Sequence, residues 1–164
     1  MLSNLHAQPI WSKSVSMKFW RIPLSGLIMG TRTGDIDPAI VPFLMDKTGM
    51  SYEEVDRVMN KESGVLGISG VSNDFRVIEE AASNGNKRAQ LALNMFHYKV
   101  RRVIGAFAAV MGGVDAIIFT AGIGENGIGN RDAICNGLEY LGTRIDPERN
   151  NIRGKEQEIS AEGS

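Results

Sequence analysis

Three features of the 164-residue sequence point to an α/β fold, helix-rich with a partial sheet. The first is a β-branched run, Val114 to Phe119, suited to a buried parallel strand and followed by a glycine-rich turn and a further helix. The second is a long apolar stripe in which Ala89, Ala92, Phe96, Val100, Val103, Phe107 and Met111 recur at steps of three and four. The third is punctuation, since helix starts and stops fall where capping chemistry wants them. Few strands are visible and there is no internal repeat, so the sheet is expected to be incomplete.

The elements follow in chain order. No Asp or Glu occurs in the first 34 residues, which carry Lys13, Lys18, Arg21 and Arg32. A transit peptide, an irregular leader and a tail foreign to the fold all fit such a stretch, and residues 1–22 are read as a divergent, irregular leader. Asp37-Pro38 offers an N-cap with proline at the first helical position, and Gly49 sits where that helix would stop. Pro42, near the first turn, is expected to bend it mildly. Ser51 and Glu54 form a capping box, with Met50 and Val55 placed as a hydrophobic staple, and the helix should run to about Asn60.

Val65 to Gly70 is a short apolar run between glycines, either a strand or a tight loop. Phe75 to Ala82 reads as a short helix stopped near Gly85. Asn86 caps the long helix, and Gly112-Gly113 ends it. Beyond the glycine-rich turn, Ile134, Leu138 and Leu141 mark a last helix closed by Gly142, and Thr143-Arg144-Ile145 could be a following strand. The polar stretch from Gly154 to Ser164 lacks an apolar anchor and reads as cut short, with 161–164 as a truncated tail.

Composition excludes several classes. Net charge is −1, with 18 Lys+Arg against 19 Asp+Glu, so no basic field exists to hold nucleic acid. One cysteine, Cys135, allows neither an internal disulfide nor a zinc site by itself. No apolar run approaches the roughly 20 residues of a membrane span. A soluble protein of the cytoplasm, with no membrane and no nucleic-acid partner, is expected.

The chemistry concentrates in three segments. Thr120-Ala121-Gly122-Ile123-Gly124-Glu125-Asn126-Gly127 lies between a strand and a helix, where glycines admit a ligand close to the backbone and helix N–H groups favour phosphate. A tight turn that binds nothing is equally consistent with the spacing. Two functional readings compete with it. Gly122-x-Gly124-x-x-Gly127 satisfies the dinucleotide pattern of an oxidoreductase, with Asp146 placed to hold a ribose. Alternatively the loop contacts the adenosine of a phosphotransferase, with Glu125 and Asn126 as polar handles. The second segment, Gly30 to Asp37, sets Arg32 between small residues, where its forked donors could meet a phosphoryl group or pair with Asp35 or Asp37. In the third, Asp74-Phe75-Arg76 opens a short helix. Asp74 either favours the helix dipole or reaches ribose hydroxyls beside a ring and a cation.

Taken together, Leu27 to Ile40, Ser63 to Gly70, Asp74-Phe75-Arg76 and Phe119 to Asn126 closely resemble the acetate kinase family, in the family's order and spacing. The resemblance spans about Pro23 to Ser160. It implies an actin-like ATPase (ribonuclease H-like) architecture of two similar lobes around a nucleotide cleft, with residues 23–160 forming part of the nucleotide-binding lobe. It implies phosphoryl transfer between ATP and acetate, giving acetyl phosphate and ADP with Mg2+, in a full-length homodimer. Arg32 matches the arginine that stabilises the phosphoryl group in flight. Asp74, Phe75, Arg76, Gly122, Ile123, Gly124, Glu125 and Asn126 match nucleotide-binding positions.

Other family features do not occur in this sequence. There is no Asn-x-Gly-Ser motif and no His-Leu-Gly-Asn-Gly loop, since His6 is followed by Ala7-Gln8-Pro9. The substrate arginine, the catalytic aspartate and the metal ligands are expected in parts that this chain lacks. It is therefore read as a fragment inactive alone, with a non-catalytic nucleotide-binding remnant as the alternative. His97 and Cys135 are read as packed helix residues without a chemical role.

Overall fold

The computed structural model describes residues 24–164, so the leader expected over 1–22 lies outside the described residues. The chain divides into two compact units, one ending at Phe96 and the other beginning at His97. Among the described residues no helix is long and apolar enough to cross a membrane.

In the unit ending at Phe96, the chain first turns sharply. Asp35 Oδ1 accepts from Ser25 Oγ at 2.8 Å and from the Gly26 amide at 2.7 Å. Gly34, at φ +73°, lies so near the Gly26 and Leu27 carbonyls that a Cβ would fall 2.8 Å from each. Helix α1 spans Ile40–Thr48 and is capped by Ala39 rather than Asp37. The Asp37 carboxylate instead accepts from the Ala39 amide at 2.8 Å, so Asp37-Pro38 builds the turn that leads in. Gly49 takes the left-handed conformation at φ 72° and closes α1, as expected.

Helix α2, Tyr52–Arg57, starts on the full Ser51–Glu54 capping box, buries Val55, and widens into a π-helical turn over Val58–Glu62. The run after it is neither strand nor loop. Gly64–Ser69 forms helix α3, because its first amides are satisfied from outside: Val65 and Leu66 donate to the Met29 and Gly30 carbonyls at 2.9 and 3.0 Å. Six residues are too few to show a helical period in sequence. Helix α4, Phe75–Ser83, is capped by the Asp74 side chain. Helix α5, Lys87–Met111, starts where the Asn86 carboxamide accepts from the Arg88 and Ala89 amides, both at 3.0 Å. Ile28, Val55, Val65, Ile78, Ala89, Ala92 and Phe96 are buried in this unit. The rings of Phe75 and Phe96 meet edge-on, 4.7 Å between centroids.

The division falls inside α5. In the unit from His97 onward, the buried positions of that helix are His97, Val100, Ile104 and Ala108. Val103 and Phe107 are half-buried and Met111 is exposed, so the expected stripe is off by one residue over its second half. From Phe96 the buried apolar positions continue in steps of four, so the buried line drifts slowly around the helix. Gly112 and Gly113, both at positive φ, end the helix.

No strand forms among the described residues, so the expected partial sheet is not seen. The run Val114 to Phe119 pairs with no segment among the described residues, and Ile118 stays 51% exposed. Ile145 makes one isolated antiparallel bridge to Ser160, which is all that becomes of the strand expected at Thr143-Arg144-Ile145. Three helices follow Phe119: α6, Ala121–Asn126; α7, Ile128–Cys135; and, after a 3-10 turn at Glu139–Leu141, α8, Pro147–Asn150. Ile134, Cys135 and Leu138 are buried. Gly142 closes the 3-10 turn at φ 83°. The last residues are hydrogen-bonded, Ser164 Oγ donating to the Gly142 carbonyl at 3.1 Å.

Candidate functional site

The loop of Arg32 is fixed through its backbone. The Met29 amide donates to the Arg32 carbonyl at 3.3 Å, Ser63 to that of Thr31 at 3.0 Å, and Thr33 to that of Met59 at 3.1 Å. Thr31 Oγ1 adds a bond to the Asn60 carbonyl. Gly64, at φ +63°, admits this loop: a Cβ there would overlap the Met29 carbonyl oxygen and come within 3.0 Å of the Arg32 amide nitrogen. The guanidinium is treated differently. Arg32 is half-buried, yet its side chain makes no hydrogen bond or ion pair among the described residues. The two carboxylates available to it by sequence are otherwise engaged, Asp35 with Ser25 and Gly26, and Asp37 with Ala39.

Asp74 and Arg76 are paired with each other. Arg76 Nη2 lies 2.6 Å from Asp74 Oδ2, and its Nε donates to Oδ1 at 3.1 Å. Asp74 Oδ1 also accepts from the Arg76 amide at 2.9 Å, which caps α4. The hydrogen bond from the guanidinium, then that from the amide, holds the Asp74 carboxyl below its ordinary range, and the same contact raises Arg76. Both groups are open to water, with the Arg76 side chain 87% exposed. The Phe75 ring is buried against Phe96 and serves the core.

In the unit from His97, the glycine-rich stretch is not a turn before a helix. It is itself the six-residue helix α6, with Ala121 at φ 62° just after Thr120. Its first amide is taken by its own chain, Ala121 donating to Glu125 Oε1 at 3.0 Å. Asn126 Nδ2 likewise donates to the Gly122 carbonyl at 3.1 Å. The expected polar handles thus brace the helix that carries them.

The three glycines differ. A Cβ on Gly124 would lie 3.0 Å from the Phe119 carbonyl carbon, and one on Gly127 would overlap the Ile123 carbonyl oxygen. A Cβ on Gly122 would meet nothing within 4 Å, and its φ is not in the left-handed region. Packing therefore explains Gly124 and Gly127 but not Gly122.

Residues that carry no motif complete the picture. Arg131 on α7 is 3% exposed and hydrogen-bonds the Gly124 and Glu125 carbonyls. His97 is buried and its Nε2 lies 2.7 Å from Asn130 Oδ1, so it packs as expected, with a specific polar partner. Burial pushes the Cys135 thiol up to about 11, with Asp132 and Glu139 adding to the effect. A cavity of about 1000 Å3 is lined in part by Ile117, Phe119, Glu125, Arg131, Arg144 and Ile159. No three His, Cys, Asp or Glu residues gather to hold a metal among the described residues.

Comparison with known proteins shows the family of the chain. The model of the acetokinase family matches residues 12–164. The chain belongs to the acetokinase family. Acetate kinase of Clostridium botulinum (strain Hall) is 62% identical over 152 residues, covering 93% of this chain and 38% of that relative. The crystal structure of Porphyromonas gingivalis acetate kinase is similar with a TM-score of 0.83 and 48% identity, over 87% of this chain and 36% of that one. A propionate kinase from Francisella tularensis gives 0.80 and 39%, over the same shares.

The acetokinase-family chain thus has the fold of these kinases over most of its described length and spans well under half of theirs. The family match begins at residue 12, inside the stretch read as a divergent leader. The dinucleotide oxidoreductase reading falls with the family assignment and with Asp146. That carboxylate caps α8 by accepting from the Glu148 and Arg149 amides at 2.8 and 3.0 Å.

Proposed function

We propose that this chain is the nucleotide-handling portion of an acetate kinase, which transfers a phosphoryl group between ATP and acetate to give acetyl phosphate and ADP. The observation that carries the proposal is Arg32: a half-buried guanidinium on a braced loop, paired with no carboxylate among the described residues. A cation so placed suits an anionic ligand, because the positioning cost is already met by the fold and the fork matches phosphoryl oxygens. Phosphoryl transfer needs little else from a protein than alignment and neutralisation of charge.

In this reading Arg32 donates to the oxygens of the phosphoryl group as it moves. Asp74 and Arg76 contact the nucleotide as a preformed pair, and Phe75 anchors them from the core. Gly122, Ile123, Gly124, Glu125 and Asn126 form the surface against which the adenosine lies, with the open space at Gly122 left for it. Magnesium, bound with the nucleotide, would neutralise phosphate charge, and no residue described in this chain is assigned to hold it. The remaining groups belong to the part of the family's length that this chain does not span. The same reading supports a cytoplasmic setting and a homodimer for the full-length enzyme.

Two measurements test the proposal. Calorimetric titration of the chain with ATP and with adenosine should show Arg32→Ala weakening ATP about tenfold while leaving adenosine unchanged. Equal loss for both ligands would place Arg32 away from the phosphates. Acetyl phosphate formation, trapped as hydroxamate, should not exceed background with this chain alone. Turnover that survives purification and vanishes in Arg32→Ala would show that it needs no further chain.

A further inference from the structure

Arg131 is a buried cation without a buried anion. Its five N–H donors are all engaged, and every acceptor is a neutral oxygen. Nε donates to Asn150 Oδ1 at 2.7 Å, and Nη1 to the Gly124 and Glu125 carbonyls at 2.8 and 2.9 Å. Nη2 donates to the Asn150 and Ile152 carbonyls at 2.7 and 2.9 Å. None of the ion pairs among the described residues includes it. Burying an arginine without a counter-charge is costly unless each donor is satisfied, and here each one is.

What those bonds hold is informative. Helix α6 has six residues, two of them glycine, and such a segment has no stability of its own in water. Its last carbonyls have no partner within the helix, and they carry the negative end of its dipole. Arg131 supplies the positive charge there and donors to the Gly124 and Glu125 carbonyls, while the Gly127 amide serves Ile123 and the Gly154 amide adds a longer bond to Glu125, 3.4 Å. The other half of the same guanidinium grips Asn150 and Ile152, while Asn150 Nδ2 donates to the Ile128 carbonyl at 3.1 Å at the start of α7. One planar group therefore sets the distance between α6 and the 150–152 segment. A lysine, with three donors on a single nitrogen, could not serve all five acceptors.

We infer that Arg131 is the positioning residue of the Gly122–Asn126 segment, holding α6 in the conformation that receives the adenine nucleotide. The inference rests on the nucleotide reading above. It is tested with the full chain, Arg131→Ala and Arg131→Lys, by amide hydrogen–deuterium exchange and by ADP calorimetry. Exchange over residues 122–127 should rise about tenfold or more in both variants, with Lys87–Met111 protected as in the parent. ADP should bind about tenfold more weakly or worse. Millimolar guanidinium chloride, but not sodium chloride, should restore ADP binding to Arg131→Ala.

Unchanged exchange over 122–127, or unchanged ADP affinity, would overturn the inference. So would loss of protection along Lys87–Met111 in both variants, which would make Arg131 a general support of the fold. If the parent binds no ADP, the nucleotide reading fails, and the exchange data alone decide whether Arg131 holds the segment.

Discussion

Gly122 and Gly124 lie two residues apart in one short helix, yet the chain needs them for different reasons. Gly124 is in contact with the Phe119 backbone, so a side chain there would push the helix off its support. Gly122 faces open space with its φ outside the left-handed region, and the fold would accept a side chain. Gly122→Val should therefore leave the melting temperature close to that of the parent and weaken ADP about tenfold or more. Gly124→Val should lower the melting temperature and lose ADP binding as a consequence. If Gly122→Val binds ADP as the parent does, the adenosine lies elsewhere. The difference between the two glycines is invisible in the sequence, where both read as part of one glycine-rich turn. Arg131 is equally silent in the sequence, because a lone arginine inside a helix carries no motif. Only the five acceptors gathered around it from Gly124, Glu125, Asn150 and Ile152 give it a role.

Helix α7 carries a pH dependence as well as Arg131. The Cys135 thiol is buried and its pKa is raised from 9.0 to about 11, because burial disfavours the thiolate. A thiol that ionises more readily unfolded than folded supports the folded state fully below pH 9. That support is lost as pH rises through 9 toward about 11. Cys135→Ala should flatten this fall, measured as denaturant midpoints between pH 8 and 11, by on the order of 2 kcal/mol. An unchanged pH profile would place the thiol in water. Among the elements, several with local chemistry are legible in the sequence. The capping box at Ser51, the cap at Asn86 and the stop at Gly49 depend only on neighbours within four residues. Helix α3 was not readable, since its first amides are satisfied by Met29 and Gly30, more than thirty residues earlier.

The run Val114 to Phe119 is built for pairing, and the described residues offer it no partner. Its β-branched residues favour a strand, but a strand is stabilised by its neighbours and not by propensity. The result is an apolar stretch with Ile118 51% exposed beside a cavity of about 1000 Å3. Exposed runs of this kind promote edge-to-edge association. Ile118→Lys should raise the soluble concentration of the chain and lower its light scattering without lowering the melting temperature. If the melting temperature falls instead, Ile118 contributes to the packing of the unit.

The long helix, the capping box at Ser51, the cap at Asn86, the stop at Gly49 and the family are legible from the order of amino acids, because each depends on short-range patterns or on strings of matched residues. Three things waited for the fold: the isolation of Arg32 from Asp35 and Asp37, the helical form of the glycine stretch, and the absence of a ladder on Val114–Phe119 among the described residues. Each depends on which distant backbone groups reach a given atom, and the chain order alone does not state such distances.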